Sequence, residues 1–406
     1  MSTGGSKRLK LEDVVVVDCD IHISEPPGAL APYCDMPWRV ALESLHENVP
    51  HRYQDIPGYA PNISTYIEVI FPGGIQAGPN EAKRSISERL VDGQNGGDRK
   101  VVKEQLGREP IVRTAGQLRE ELDELHIDIG VCVPDNFLTI AALDNPDYAA
   151  ALGRAYNRWM IDQWLTREAG LKGLLLTVPQ DPVDAAREIE LLGNEEHIVG
   201  IMLPTAGVHP LWGNRKYDPI FEAAQAANLC CVLHGLTYTF PTFPNQLEQL
   251  QGLAPKHVLA HPFQMIANLV SLFSTGVPAR FPNLKFLFTE AGIGYAPYVM
   301  WRLDKEYQER RREMPLDHRP SHYMKDRFFY ATQPIEEPDD PADLVSMIKL
   351  LKGEDTVVFA SDWPHHDFDN PAHVFGLPWP ADLKRKVMGE NALRLFNIPA
   401  PIKSKS

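Results

Sequence analysis

The chain is short of the features that mark several large classes of protein. It has no apolar run near the ~18 residues that a membrane-spanning helix needs. Its first stretch, Met1 to Leu11, is polar and basic and lacks the apolar segment of a secretory signal, so a cytoplasmic location is expected. Cysteine is scarce: Cys19, Cys34, Cys132, Cys230 and Cys231, with no Cys-x-x-Cys spacing. An odd count without a framework excludes a disulfide scaffold and points to reduced, buried thiols. Positive charge is in deficit, with 40 Lys and Arg against 54 Asp and Glu and a net charge of −14. That balance excludes a general attraction to nucleic acid or anionic membranes. The run Arg310-Arg311-Arg312 lies in a mixed-charge helical stretch and reads as a solvated face. No Gly-x-Gly-x-x-Gly follows a strand and no Walker sequence occurs, so no nucleotide cofactor is signalled.

What remains is 406 residues, 44% of them hydrophobic, enough for one large barrel with an insertion or for two ordinary domains. Short, continuously apolar, β-rich runs recur along the chain: Val14–Val17, Ile127–Val133, Gly173–Val178, Ile198–Leu203, Leu229–Leu233, Val258–Ala260, Leu284–Phe288 and Thr356–Ala360. Continuous rather than alternating apolarity is the mark of a parallel strand buried on both faces. Helical patterns separate many of them, at Tyr148–Glu168, Pro182–Leu192, Tyr217–Ala227, Pro297–Arg312, Pro341–Leu351 and Pro380–Phe396. Eight strands alternating with helices predict an α/β fold, a (β/α)8 TIM barrel formed by residues 1–406 as a single domain. The interval after the first strand is far longer than the others. Its polar stretch Gly73–Glu109 reads as part of an insertion over roughly 45–115, a lid or a dimer contact.

Several runs end in reactive side chains: Asp20 and His22 after the first, then His234, His261, Glu290 and Asp362. The C-terminal rim of such a barrel is where active sites are built. Asp20 and His22 stand two apart on a strand and so point the same way, able to chelate one ion. Taken singly, each has an ordinary structural reading. Asp20 caps a turn, His22 satisfies a backbone group, His234 is a structural histidine beside Gly235, and Asp362 and His261 are turn residues before proline. Taken together on one rim, Asp20, His22, His234, His261 and Asp362 read as a site for a divalent transition metal such as Zn2+, Mn2+, Fe2+ or Co2+. The fourth run, Ile198–Pro204, has no lysine to bridge a second metal, which points to one metal rather than two.

An ordered set of motifs carries a family resemblance. It comprises Tyr217-Asp218-Pro219-Ile220-Phe221 through Leu233-His234-Gly235, and Arg280-Phe281-Pro282-Asn283-Leu284 through Thr289-Glu290-Ala291-Gly292. Trp301-Arg302-Leu303-Asp304 and Ala360-Ser361-Asp362-Trp363-Pro364-His365 complete it. From about Asp13 to Ile398 the chain resembles the amidohydrolase-2 branch of the amidohydrolase superfamily. That branch includes aminocarboxymuconate-semialdehyde, γ-resorcylate and 5-carboxyvanillate decarboxylases. The resemblance places the metal ligands on Asp20, His22, His234 and Asp362. It also places a histidine that activates water or relays protons on His261. The best-known members carry His-x-His where this chain has Asp20, and the extra carboxylate leans the site towards Mn2+. Glu290 points to the rim as a further catalytic residue or pairs with a nearby cation. Arg302 reaches a substrate carboxylate, in relatives sometimes across a dimer, or pairs locally with Asp304 or Glu306. His365 and His366 lie where they can touch substrate.

The implied activity is non-oxidative decarboxylation of an unsaturated or aromatic carboxylic acid. The metal would act as Lewis acid, and water at the metal or His261 would supply the proton. The alternative is hydrolysis of a C–C, lactone or amide bond, with Asp362 taking the proton of water. The expected partner is a small-molecule substrate, with no nucleic acid and no membrane, and the resemblance implies a homodimer.

Overall fold

A computed structural model describes residues 9–25, 28–48, 114–236, 250, 253–365 and 367–401. Eight strands form one sheet in the order of the chain: β1 (Val17–Ile23), β2 (Ile129–Pro134), β3 (Leu171–Leu176), β4 (Ile198–Pro204), β5 (Cys230–His234), β6 (Phe286–Phe288), β7 (Phe328–Ala331) and β8 (Val357–Val358). Every paired neighbour is parallel. The ring closes beyond the short β8, where Cys19 N donates to Phe359 O (3.1 Å) and His22 N to Trp363 O (2.8 Å). Nearly every strand residue is buried, as the continuous apolar runs require.

The helices of nine or more residues are α1 (Trp38–Asn48), α2 (Ala115–Glu124), α3 (Pro146–Met160), α4 (Pro182–Leu192), α5 (Asp218–Ala226), α6 (Leu253–Ser274), α7 (Tyr295–Arg310) and α8 (Pro341–Leu350). One local device starts several of them. Asn145, Asp181 and Asp340 each accept a hydrogen bond from the first-turn backbone, and a proline follows each cap. The carboxylate or amide satisfies an orphan N–H, and the proline contributes a pre-set φ where no N–H is needed. Among the described residues no helix is long and apolar enough to cross a membrane. The insertion expected over 45–115 lies almost wholly outside the described residues.

Two predicted elements need correction. Val258–Ala260 is not a strand but part of α6. Val258 is 67% exposed, whereas Ala260, His261, Gln264, Met265, Asn268 and Leu269 are buried, a spacing of three and four that belongs to one helix face. The predicted seventh strand is therefore β6. The true seventh, Phe328–Ala331, was missed because it is only four residues long and follows the charged Lys325-Asp326-Arg327. Aromatic packing holds it: Phe286 and Phe328 stack with centroids 5.0 Å apart, and Phe288 and Tyr330 at 6.1 Å.

Candidate metal and active site

The rim brings together the four residues read as ligands. Asp20 and His22 come from β1, His234 from the end of β5, and Asp362 from the turn after β8. His22 Nε2 lies 3.4 Å from Asp20 Oδ1 and 3.0 Å from Asp362 Oδ1. His234 Nε2 lies 3.3 Å from the same Asp20 oxygen. His234 Nδ1 sits 2.9 Å from Gly235 O. A carbonyl can only accept, so the proton belongs on Nδ1 and the Nε2 lone pair faces Asp20.

Both Asp20 oxygens, His22 Nε2 and His234 Nε2 are buried without a hydrogen-bond partner. Buried polar atoms left in this state are costly. A divalent cation among them would satisfy all four, and two carboxylates with two imidazoles suit Mn2+ or Zn2+. The donor set therefore fits a metal. Burial alone would raise the Asp20 carboxyl, but the His234 and His22 imidazoles hold it below the usual range.

The other predicted residues fall into two groups. Glu290, just past β6, places Oε2 3.2 Å from His261 Nδ1 and 3.4 Å from His234 Nδ1. Burial, then the negative charge of Asp362, push its carboxyl well above the ordinary value. Burial, then His257, push His261 well below. His261 arrives from the inner face of α6 rather than from a strand end, which corrects its expected position but not its place at the rim. Gly235 leaves room for it, since a Cβ there would lie 2.9 Å from His261 Nδ1. Arg302, by contrast, is exposed on α7 and pairs with Glu306 one turn on, at 2.9 Å. His365 is wedged between two carboxylates, with Nδ1 2.7 Å from Asp362 Oδ1 and Nε2 3.2 Å from Asp135 Oδ1. Those carboxylates raise its imidazole well above the ordinary value against the pull of burial. His366 lies outside the described residues.

Several residues at the site escaped the sequence reading. Asp135 directly follows β2, where the strand-end rule would have found it; Ser24 Oγ donates to its second oxygen at 2.5 Å. Gln333 follows the missed β7 and donates to Asp362 Oδ2 (3.3 Å) and Asp367 Oδ2 (3.0 Å). His257 stands one helical turn before His261, with Nε2 3.3 Å from Asp367 Oδ2. Asp18 accepts from the backbone N–H of Asp20 (3.1 Å) and of Ser361 (2.9 Å), tying β1 to the turn that carries Asp362. Burial pushes its carboxyl up to about 8, against the opposing hydrogen bonds from Ser361 and Asp20.

The chain is similar in sequence and in fold to several known proteins. The γ-resorcylate decarboxylase of Polaromonas sp. (strain JS666) is 24% identical over 276 residues, 65% of this chain and 81% of that protein. The 5-carboxyvanillate decarboxylase of Sphingomonas paucimobilis superposes with a TM-score of 0.64 at 19% identity, covering 95% of this chain and 100% of the other. A 5-carboxyvanillate decarboxylase of Novosphingobium aromaticivorans, solved with manganese and 4-hydroxy-3-methoxy-5-nitrobenzoic acid, gives 0.66 at 18% identity over 95% and 97%. The family model described as Amidohydrolase matches residues 17–398, and the chain belongs to that family, among the relatives of the aromatic-acid decarboxylases of the amidohydrolase superfamily.

Proposed function

We propose that this protein is a metal-dependent decarboxylase of an aromatic or unsaturated carboxylic acid, with Asp20, His22, His234 and Asp362 holding one divalent transition metal, Mn2+ or Zn2+. The observation that carries the reading is the convergence of buried, unpartnered donor atoms from β1 and β5, with the Asp362 carboxylate against His22. The decarboxylase relatives and the manganese in one of them support it. When bound, the metal supplies Lewis-acid stabilisation of charge on the substrate's carboxylate and a neighbouring oxygen.

The chain's own groups manage the proton that replaces CO2. Glu290, its carboxyl raised by burial, holds a proton on the side facing His261. His261, neutral because burial and His257 disfavour its charge, accepts that proton at Nδ1 as it donates from Nε2 to the substrate carbon. His261 thus relays, and Glu290 is the store. Asp362 is held in place by His365 and Gln333, so its free lone pairs keep a fixed direction. Asp20, His22, His234 and His261 are all at most 3% exposed, so these groups act out of contact with bulk water. Arg302 is exposed on its own chain, so its expected grip on a substrate carboxylate belongs to the proposal only through a homodimer.

The test is elemental mass spectrometry of wild type and His234→Ala side by side, followed by CO2 release from a panel of hydroxybenzoic acids. About one metal per chain, lost in the variant, with CO2 evolved from at least one acid, is expected. A folded wild type that takes up no Mn2+ or Zn2+ overturns the reading.

A further inference from the structure

His257 and His261 stand four residues apart on α6, with ring centroids 5.1 Å apart. That spacing puts two imidazoles on one helix face, where a pair of histidines chelates zinc. Glu290 faces them from the end of β6. Its Oε2 is 3.2 Å from His261 Nδ1, the residue is only 7% exposed, and this oxygen takes no hydrogen bond. His257, His261 and Glu290 each offer a ligand atom, and the three atoms lie within 4.8 Å of one another. Asp367, 3.3 Å from His257 Nε2, supplies the carboxylate that commonly orients a ligating histidine.

We propose that His257, His261 and Glu290 form a second cation site, selective for Zn2+ and separate from the Asp20 cluster. The His234 ring divides the two. Its Nε2 edge faces Asp20 and its Nδ1 edge faces Glu290. The second site therefore needs no lysine bridge from β4, and the missing lysine there does not bear on it. Two imidazoles and one carboxylate, with a fourth position left for water, make the N2O donor set that zinc accepts in tetrahedral sites. Zinc at about 2.0–2.2 Å from each donor draws the three atoms closer than they stand now. His257, with its side chain 19% exposed, is the ligand with room to move. The site is accordingly the weaker of the two. It also takes the two groups to which the proposed function assigns the proton. Resting on that reading, excess zinc acts as an inhibitor that leaves the first metal in place.

The experiment is equilibrium dialysis of the metal-stripped full chain against increasing Zn2+, read by elemental mass spectrometry, for wild type, His257→Ala, His257→Gln and Asp20→Ala. The expected result is that both His257 variants bind one zinc fewer than wild type, or bind that ion at least tenfold more weakly, with the tight ion unchanged. Asp20→Ala loses the tight ion and keeps the weak one. The weak step is overturned if wild type and the His257 variants give the same isotherm, whatever their total. Failure of the first-site reading shows separately, as an Asp20→Ala protein that keeps its tight ion. Circular dichroism confirms that each variant is folded, and the glutamine variant preserves the side-chain volume if alanine unsettles α6.

Discussion

Replacing Asp18 tests the clamp that ties β1 to the turn carrying Asp362. Asp18 Oδ1 receives the N–H of Asp20 and the N–H of Ser361, and the residue is fully buried. Alanine strands both N–H groups without water, at about 1–3 kcal/mol each, so Asp18→Ala should lower stability by about 2–6 kcal/mol. Asparagine keeps the acceptor oxygen and should stay within about 1 kcal/mol near pH 4. The comparison then acquires a sign with pH. The folded carboxyl titrates at about 8 against an ordinary 3.8. Below the lower value both states hold the proton. Between the two, the unfolded chain sheds a proton that the folded chain keeps, so wild-type stability falls as pH rises through this window and levels off above it. The amide of the asparagine variant carries no such proton, and Asp18→Asn should gain on wild type steadily from pH 4 to pH 8. Urea denaturation of the metal-stripped proteins, followed by circular dichroism at several pH values, reads both effects. An alanine variant within about 1 kcal/mol of wild type, or an asparagine variant that loses ground as pH rises, refutes the reasoning.

Three further outcomes rest on the same structure. Phe328→Ala removes a fully buried ring stacked on Phe286 and should cost about 3–5 kcal/mol in denaturant unfolding, with metal content per folded chain unchanged. Asp135→Asn keeps the shape but removes the charge that pairs with His365, the support of Asp362; Mn2+ affinity measured by electron paramagnetic resonance titration should fall about 10–100-fold. Chelation should lower the melting temperature, because Mn2+ at one hundred times its Kd adds about 2.7 kcal/mol to the folded state; a scan unaffected by chelator and by added Mn2+ counts against the site.

Much of this was legible because burial on both faces writes a plain signal. Runs such as Ile198–Leu203 and Leu229–Leu233 are apolar throughout, and the side chain that breaks the run is the one on the rim. His234 and Asp362 were found that way. The signal failed where strands are short. At four residues, Phe328–Ala331 is no longer than many helix-face clusters, and Val258–Ala260, three apolar residues in a row on a helix, took its place in the count. With β7 went Gln333. Asp18 was illegible for another reason: its work is done through backbone N–H groups of residues far apart in sequence, and no local pattern encodes Ser361 as its partner. His257 required knowing that His261 is helical, since only then does a residue four before it share its face.

Two of the rim carboxylates that follow strands share a backbone feature that no composition reveals. Glu290 has φ 56° and Asp362 φ 61°, the left-handed region that non-glycine residues enter at a cost of about 1–2 kcal/mol each. Glycine would remove that strain, and Gly292 takes the same conformation two residues later. Carboxylates persist at these two turns because the turn decides where the side chain goes. Both side chains are buried at the rim of the barrel. From there Glu290 reaches both His234 and His261, and Asp362 reaches both His22 and His365. Each strained carboxylate thus touches two imidazoles from different elements. The strain stays local, while the contacts it permits hold β1, β5, α6 and the turn after β8 in one cluster.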